Sequence, residues 1–200
     1  MTPQQPPSKA RLAILISGSG STLQNLAQHI LDGKLSASIA CVISSRPDVY
    51  GLIRAENLHL PHEVINRRTF PDTASFSDAI FSQILKCHAD LVIMAGFLSL
   101  LHIPPPFENR VLNIHPALLP KYGGRGMHGL KVHQAVIDAG ESISGCTVHY
   151  ADNQYDHGPI LLQRTCPVLS ADTAEKLAAR VFQQECLAYP EAIAQCLARM

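Results

Sequence analysis

The fold is decided between Leu12 and Leu31, where Leu12-Ala13-Ile14-Leu15-Ile16-Ser17 runs into Gly18-Ser19-Gly20 and then Ser21-Thr22-Leu23-Gln24. The five apolar residues that open it are too few for a helix and carry no polar alternation, which is the pattern of a strand covered on both faces. The glycines break that run, and a helical pattern follows from Ser21 to about Leu31. A buried strand, a tight turn and a helix make the opening unit of a parallel α/β sheet.

The same alternation continues outward. Ile39–Ser44 reads as a second strand, Val49–Asn57 as a helix stopped before Pro61, and Glu63–Asn66 as a short third strand. In Ser75–Cys87, Phe76, Ile80 and Ile84 fall four apart on one helical face. Leu91–Ala95 and Val111–Ile114 are further apolar strands, the second ending at His115. Gly123–Gly129 holds four glycines in seven residues and predicts a mobile loop. Lys131–Ala139 is helical, Ser142–Tyr150 and Ile160–Val168 are strands, and Thr173–Arg199 predicts a helix broken near Pro190. The expectation is one α/β domain, Rossmann-like, over residues 11–200, its mostly parallel sheet flanked by helices, after a flexible Pro/Gln-rich tail over residues 1–10.

Composition narrows the function classes. The 200 residues are 46% hydrophobic and 16% charged, with 16 basic against 16 acidic side chains. Neither half of the chain is polarised, which argues against a nucleic-acid partner bound through a basic face. The longest mainly apolar stretch, Leu91–Leu101, is too short to span a bilayer, so no membrane role is expected. Lys9, Arg11 and the apolar residues after them imitate a secretion signal, but five apolar residues fall below the roughly 7–15 that such a signal needs. A cytoplasmic protein, monomeric or homodimeric, is expected. The six cysteines are dispersed with no C-x-x-C, and His128 and His133, five apart, do not share a helical face, so no metal site is expected.

Three places carry residues suited to chemistry. The turn at Gly18-Ser19-Gly20 leads unpaired helix N-terminal amides toward a ligand and suits a phosphate. It departs from a dinucleotide fingerprint, because Leu23 stands at the third glycine position and Ser44-Ser45-Arg46-Pro47 brings no acid after the second strand. An ordinary N-capped turn is the plainer alternative. Asn113 and His115 project to the same side at the end of a buried strand, where an amide and an imidazole can stabilise an oxyanion and move a proton. They would otherwise be two satisfied polar residues. Asp156, in the loop between the last two strands, would be an ordinary solvated aspartate unless it stands beside that imidazole, where it would favour the cation.

Taken together, Leu15-Ile16-Ser17-Gly18-Ser19-Gly20-Ser21-Thr22-Leu23-Gln24, Ala95-Gly96-Phe97, Asn113-Ile114-His115-Pro116-Ala117-Leu118-Leu119-Pro120, Gly145-Cys146-Thr147-Val148-His149 and Asp156-His157-Gly158-Pro159-Ile160 closely resemble the phosphoribosylglycinamide formyltransferases of the folate-dependent formyltransferase superfamily. The resemblance covers nearly everything from Arg11 onward. It implies a catalytic trio of Asn113, His115 and Asp156. It implies contacts to a phosphoribosyl substrate from Gly20, Ser21 and Thr22 in the N-terminal half and from Phe182, Gln183, Gln184 and Glu185 on the last helix. It places 10-formyltetrahydrofolate, a co-substrate, against Leu98, Ser99, Leu100 and Leu101 and against Asp152, Asn153, Gln154, Tyr155 and Asp156, with Gly123–Gly129 as a lid and no metal. Thr73 and Ser99 stand where many relatives have arginines, with Arg67 and Arg68 near the first, and the lid differs from the common shorter form.

The implied reaction is formyl transfer to the amine of glycinamide ribonucleotide in purine synthesis. Asn113 and a protonated His115 would stabilise the oxyanion, and Asp156 would keep His115 cationic. The alternatives are a formyltransferase for another amine, such as an amino-sugar nucleotide or methionyl-tRNA, or a formyltetrahydrofolate hydrolase.

Overall fold

In the computed structural model, which describes residues 9–200, the opening apolar run forms β1 (Ala10–Ile16), buried from Leu12 onward. The tail expected over residues 1–10 lies outside the described residues up to 8. Its last residue, Ala10, already pairs with Ala37. The chain continues through α1 (Ser21–Leu31), β2 (Ala37–Ser44), α2 (Tyr50–Asn57), β3 (His62–Val64), α3 (Thr73–Lys86), β4 (Leu91–Met94) and β5 (Val111–His115). It closes with α4 (Leu130–Asp138), β6 (Ile143–Tyr150), β7 (Ile160–Pro167) and α5 (Ala174–Leu197).

The strands form one sheet in the order β3-β2-β1-β4-β5-β6-β7. The first five are parallel, whereas β6 and β7 run antiparallel to their neighbours. Alternation along β1 divides the core. Leu12, Ile14 and Ile16 join Leu23 and Leu26 of α1 and Leu177, Val181 and Tyr189 of α5 on one face, while Ala13 and Leu15 join Phe76, Ile80 and Ile84 of α3 on the other. Each of the Leu, Ile, Val and Phe side chains among these, fully buried, contributes about 1.5–3 kcal/mol. Asp72 caps α3 by accepting from the Ser75 amide at 2.8 Å, which starts the helix at Thr73 rather than Ser75.

Three features position the site. The order reverses at β1, and Ser17 N reaches Gly96 O at 3.1 Å just past the ends of β1 and β4; ligand crevices of open α/β sheets lie at such a switch point. A bulge between Val148 and His149 sets the extra residue Leu161 into β7. The break expected at Pro190 is absent, and α5 runs on for 24 residues with the proline inside it. The missing proline N–H orphans the Cys186 carbonyl, and Asn25 Nδ2 of α1 donates to that oxygen at 3.0 Å instead. Tyr189, one turn after Glu185, holds α5 to the sheet through its hydroxyl, which lies 3.0 Å from Met94 O and 2.8 Å from Leu112 O.

Candidate active site

β5 delivers Asn113 and His115 to the carboxyl end of the parallel strands, and antiparallel pairing with β6 sets His149 opposite Asn113 and Thr147 opposite His115. The Thr147 hydroxyl donates to Ala117 O at 2.7 Å and accepts from Leu119 N at 3.0 Å, which fixes the turn after His115. Asp156 completes the group from the β6–β7 loop. Its Oδ2 lies 3.4 Å from His115 Nδ1 and accepts from Gly124 N at 2.9 Å. Its Oδ1 accepts from Asn113 Nδ2 at 3.3 Å. Asp156 has φ 54, a left-handed conformation that aspartate tolerates better than most residues. The loop can return only because residue 158 is glycine: a Cβ there would collide with Tyr150 O.

His149 joins this network, although the sequence reading gave it no role. Its Nδ1 lies 3.0 Å from Tyr150 O; a carbonyl only accepts, so that nitrogen carries the proton and Nε2 accepts from Asn113 Nδ2 at 3.0 Å. Both amide protons of Asn113 are thus directed, one at His149 and one at Asp156. The clue in the sequence was His149 at the end of the Gly145–His149 string, in phase with Thr147 on an alternating strand.

Burial decides the charge of the imidazole. It is the largest influence on His115 and holds its pKa below the ordinary value, against the Asp156 carboxylate and the Tyr122 carbonyl, which favour the cation. Asp156 therefore does not keep His115 cationic, as the sequence reading expected. For Asp156 burial again is largest and opposes ionisation. His149, His115 and the Gly124 amide outweigh it, and the carboxyl ends below its usual range. His115 Nε2 lies 2.8 Å from Tyr122 O, so the neutral ring keeps its proton there and turns the Nδ1 lone pair toward Asp156.

A cavity of about 410 Å³ joins the trio to part of the other predicted residues. Its wall includes the mainly apolar run Leu98–Leu101 with Ile103, the polar residues Asp152, Gln154 and Tyr155, and Gly124–Gly129. Thr22 and Glu185 also line it. Burial pushes the Glu185 carboxyl up to about 7.

The sequence model of the formyl transferase family matches residues 10–193. The chain belongs to the formyl transferase family. It is 38% identical to the phosphoribosylglycinamide formyltransferase of Haemophilus influenzae over 90% of this chain and 84% of that one. It is 39% identical to the trifunctional purine biosynthetic protein adenosine-3 of Bos taurus, covering 94% of this chain and 18% of that longer protein. The fold matches phosphoribosylglycinamide formyltransferase from Brucella melitensis with TM-score 0.84 and 38% identity, over 94% of this chain and 95% of the other. It matches glycinamide ribonucleotide transformylase 1 from Symbiobacterium toebii with TM-score 0.86 and 36% identity, over 94% and 88%.

Within this formyl transferase the predicted residues divide. Asn113, His115, Asp156, Thr22, Glu185, Leu98, Ser99, Leu100, Leu101, Asp152, Gln154 and Tyr155 line the cavity; Gly20, Ser21, Asn153, Phe182, Gln183 and Gln184 do not. Asn153 instead accepts from Ile103 N at 2.8 Å and pins the loop. The Asp152 carboxylate is engaged within its own loop by His157 Nδ1 at 2.7 Å and Gln154 N at 2.8 Å. Gly20 caps α1 with φ 73 and no side-chain partner for the first amides, and Arg54 braces the turn by donating to Ser19 O at 3.0 Å. Thr73, Arg67 and Arg68 are absent from the cavity wall, where Arg125 is the one arginine among the described residues. No group of three or more His, Cys, Asp or Glu side chains that could hold a metal occurs among the described residues. No described helix is long and apolar enough to cross a membrane.

Proposed function

We propose that this protein transfers a formyl group from 10-formyltetrahydrofolate to the primary amine of glycinamide ribonucleotide, a step of purine synthesis. The observation that carries this reading is a single cavity lined both by Asn113, His115 and Asp156 and by Thr22 and Glu185. The apolar wall at Leu98–Leu101 suits one face of a flat pterin, and the polar Asp152–Asp156 loop suits its hydrogen-bonding edge. The uncapped N-terminus of α1 at Gly20–Thr22 suits the substrate phosphate, and of Phe182–Glu185 on α5 it is Glu185, in the cavity wall, that suits its amine.

The folate supplies the formyl carbon. As the amine attacks, negative charge grows on the formyl oxygen, and the Asn113 amide is placed to donate to it once one proton is released from Asp156 or His149. His115, neutral at pH 7 because it is buried, accepts the proton lost by the attacking nitrogen. The Asp156 carboxylate, 3.4 Å away, stabilises the imidazolium so formed. The proton then returns to the folate nitrogen as the C–N bond breaks. We take the enzyme to act in the cytoplasm as a monomer or homodimer.

Purified protein incubated with 10-formyltetrahydrofolate and glycinamide ribonucleotide should release tetrahydrofolate and formylated ribotide in equal amounts. Faster release with an amino-sugar nucleotide, or with no amine present, would replace this reading by one of its rivals.

A further inference from the structure

The two sets of residues read above as the ribotide site sit on helices far apart in sequence, and the inference here rests on that reading. Apolar packing brings the helices together: Leu23 and Leu26 of α1 share a buried cluster with Val181, Ala188 and Tyr189 of α5. Such contacts are non-directional and resist sliding weakly. A directional contact is also present. Asn25 lies one turn after Ser21, Cys186 directly follows Glu185, and Asn25 Nδ2 donates to Cys186 O at 3.0 Å. That oxygen is available because its helical donor would be residue 190, a proline.

We propose that Asn25 is a positioning residue for the phosphoribosyl substrate. By occupying the one carbonyl that Pro190 leaves without a donor, it sets the register of α5 against α1 and so the spacing between the Gly20–Thr22 turn and Glu185. Tyr189 refers α5 to the sheet; Asn25 refers it to the phosphate turn. The pairing of an inward amide with a helix-interior proline gives the role a built-in control, since restoring the helical N–H makes the amide dispensable.

Asn25→Leu keeps the branching at Cγ, raises helix propensity and removes the donor. It should raise KM for glycinamide ribonucleotide, and the calorimetric Kd for that ribotide, about fivefold, the loss of one hydrogen bond. It should leave kcat and the KM for 10-formyltetrahydrofolate within about twofold, because the trio and the folate wall lie on other elements. In a Pro190→Ala background the helix supplies its own donor, and adding Asn25→Leu should change the ribotide KM less than about twofold. An unchanged ribotide KM in Asn25→Leu, an equal rise in both KM values, or an undiminished effect in the Pro190→Ala background each overturns the proposal. Should Asn25→Leu lose its wild-type circular dichroism, Asn25→Ala, which removes the donor without adding bulk or charge, must show the same selective rise. Wild-type protein that neither binds nor formylates the ribotide overturns the functional reading and this inference together; normal wild-type behaviour with an indifferent Asn25→Leu overturns this inference alone.

Discussion

At the Thr22 end of the cavity the groups offered to a ligand are backbone amides held by glycine packing, whereas at the Asp156 end they are side chains that hold one another. Gly20 approaches α2 so closely that a Cβ would stand 2.6 Å from Gly51 Cα, and Gly51 N donates to Gly18 O at 3.1 Å. None of the turn residues Gly18, Ser19, Gly20, Ser21 and Thr22 carries a titrating side chain. Among Asn113, His115, His149 and Asp156 the polar atoms lie 3.0–3.4 Å apart; burial lowers the pKa of His115, while polar neighbours lower that of Asp156 against its burial. On the proposed function, the first arrangement suits a fixed charge and the second a charge that appears during a reaction. Mutations should therefore strike fold and affinity at one end, and turnover at the other.

The largest expected effect tests that division. His115→Ala or Asn113→Ala should lower kcat roughly 10²-fold or more, with the unfolding midpoint little changed. Near-normal turnover in both would remove the trio from the chemistry. Asp156→Asn should also lower the His115 pKa further, since the carboxylate is the strongest group raising it; proton NMR titration reads this directly, and a higher value contradicts the coupling.

At the other end, Gly20→Val meets both a left-handed φ of 73 and the Gly51 backbone. It should destabilise the fold by about 2–4 kcal/mol in urea unfolding, from left-handed strain plus overpacking. The close approach to Gly51 makes the damage structural rather than confined to substrate binding. Wild-type stability in this variant would show that the turn can relax.

A smaller effect separates ligands. Removing the phosphate from the ribotide should weaken binding at least about tenfold, the loss of charge-assisted hydrogen bonds, and NAD should not compete. Equal affinity of riboside and ribotide would contradict the phosphate role of the turn.

The smallest effect is in stability against pH. Burial lowers the pKa of His115 and of His133, so the unfolded chain binds their protons first, and stability falls as pH drops below about 6.5. Glu185, raised to about 7, acts oppositely: between about 4.5 and 7 the folded state binds its proton first and gains stability as pH falls. Glu185→Gln should therefore lose more stability than wild type between pH 7 and 5.5, by at most about 1.4 kcal/mol per pH unit. Parallel curves for the two proteins would show that Glu185 is not buried in solution.

How far the sequence could be read follows the range of the forces involved. β1, α1 and β5 were legible because hydrophobic period and glycine turns are local. The trio was legible only through its family string, since nothing in the spacing of Asp156 says that it returns to β5. His149 was missed because its importance comes from cross-strand register with Asn113. The continuity of α5 was misread because the side chain that satisfies the carbonyl freed by Pro190 comes from Asn25, 161 residues before Cys186. The charge of His115 was misjudged because a neighbouring acid is visible in sequence and depth of burial is not.

The bulge at Leu161 restricts how the length of this chain can vary over evolution. From Asp156 the chain has only His157, Gly158 and Pro159 before it rejoins the ladder, where Pro159 O accepts from Tyr150 N at 2.9 Å. Inserting or deleting one residue there would either move Asp156 away from Asn113 or turn every later β7 side chain to the opposite face, because strand side chains alternate. The bulge already takes up the one odd residue between Ile160 and Leu162. Length changes are therefore expected in the Ala151–Tyr155 segment or beyond Pro167, and chains of different length should keep the spacing from Asp156 to Leu162 unchanged.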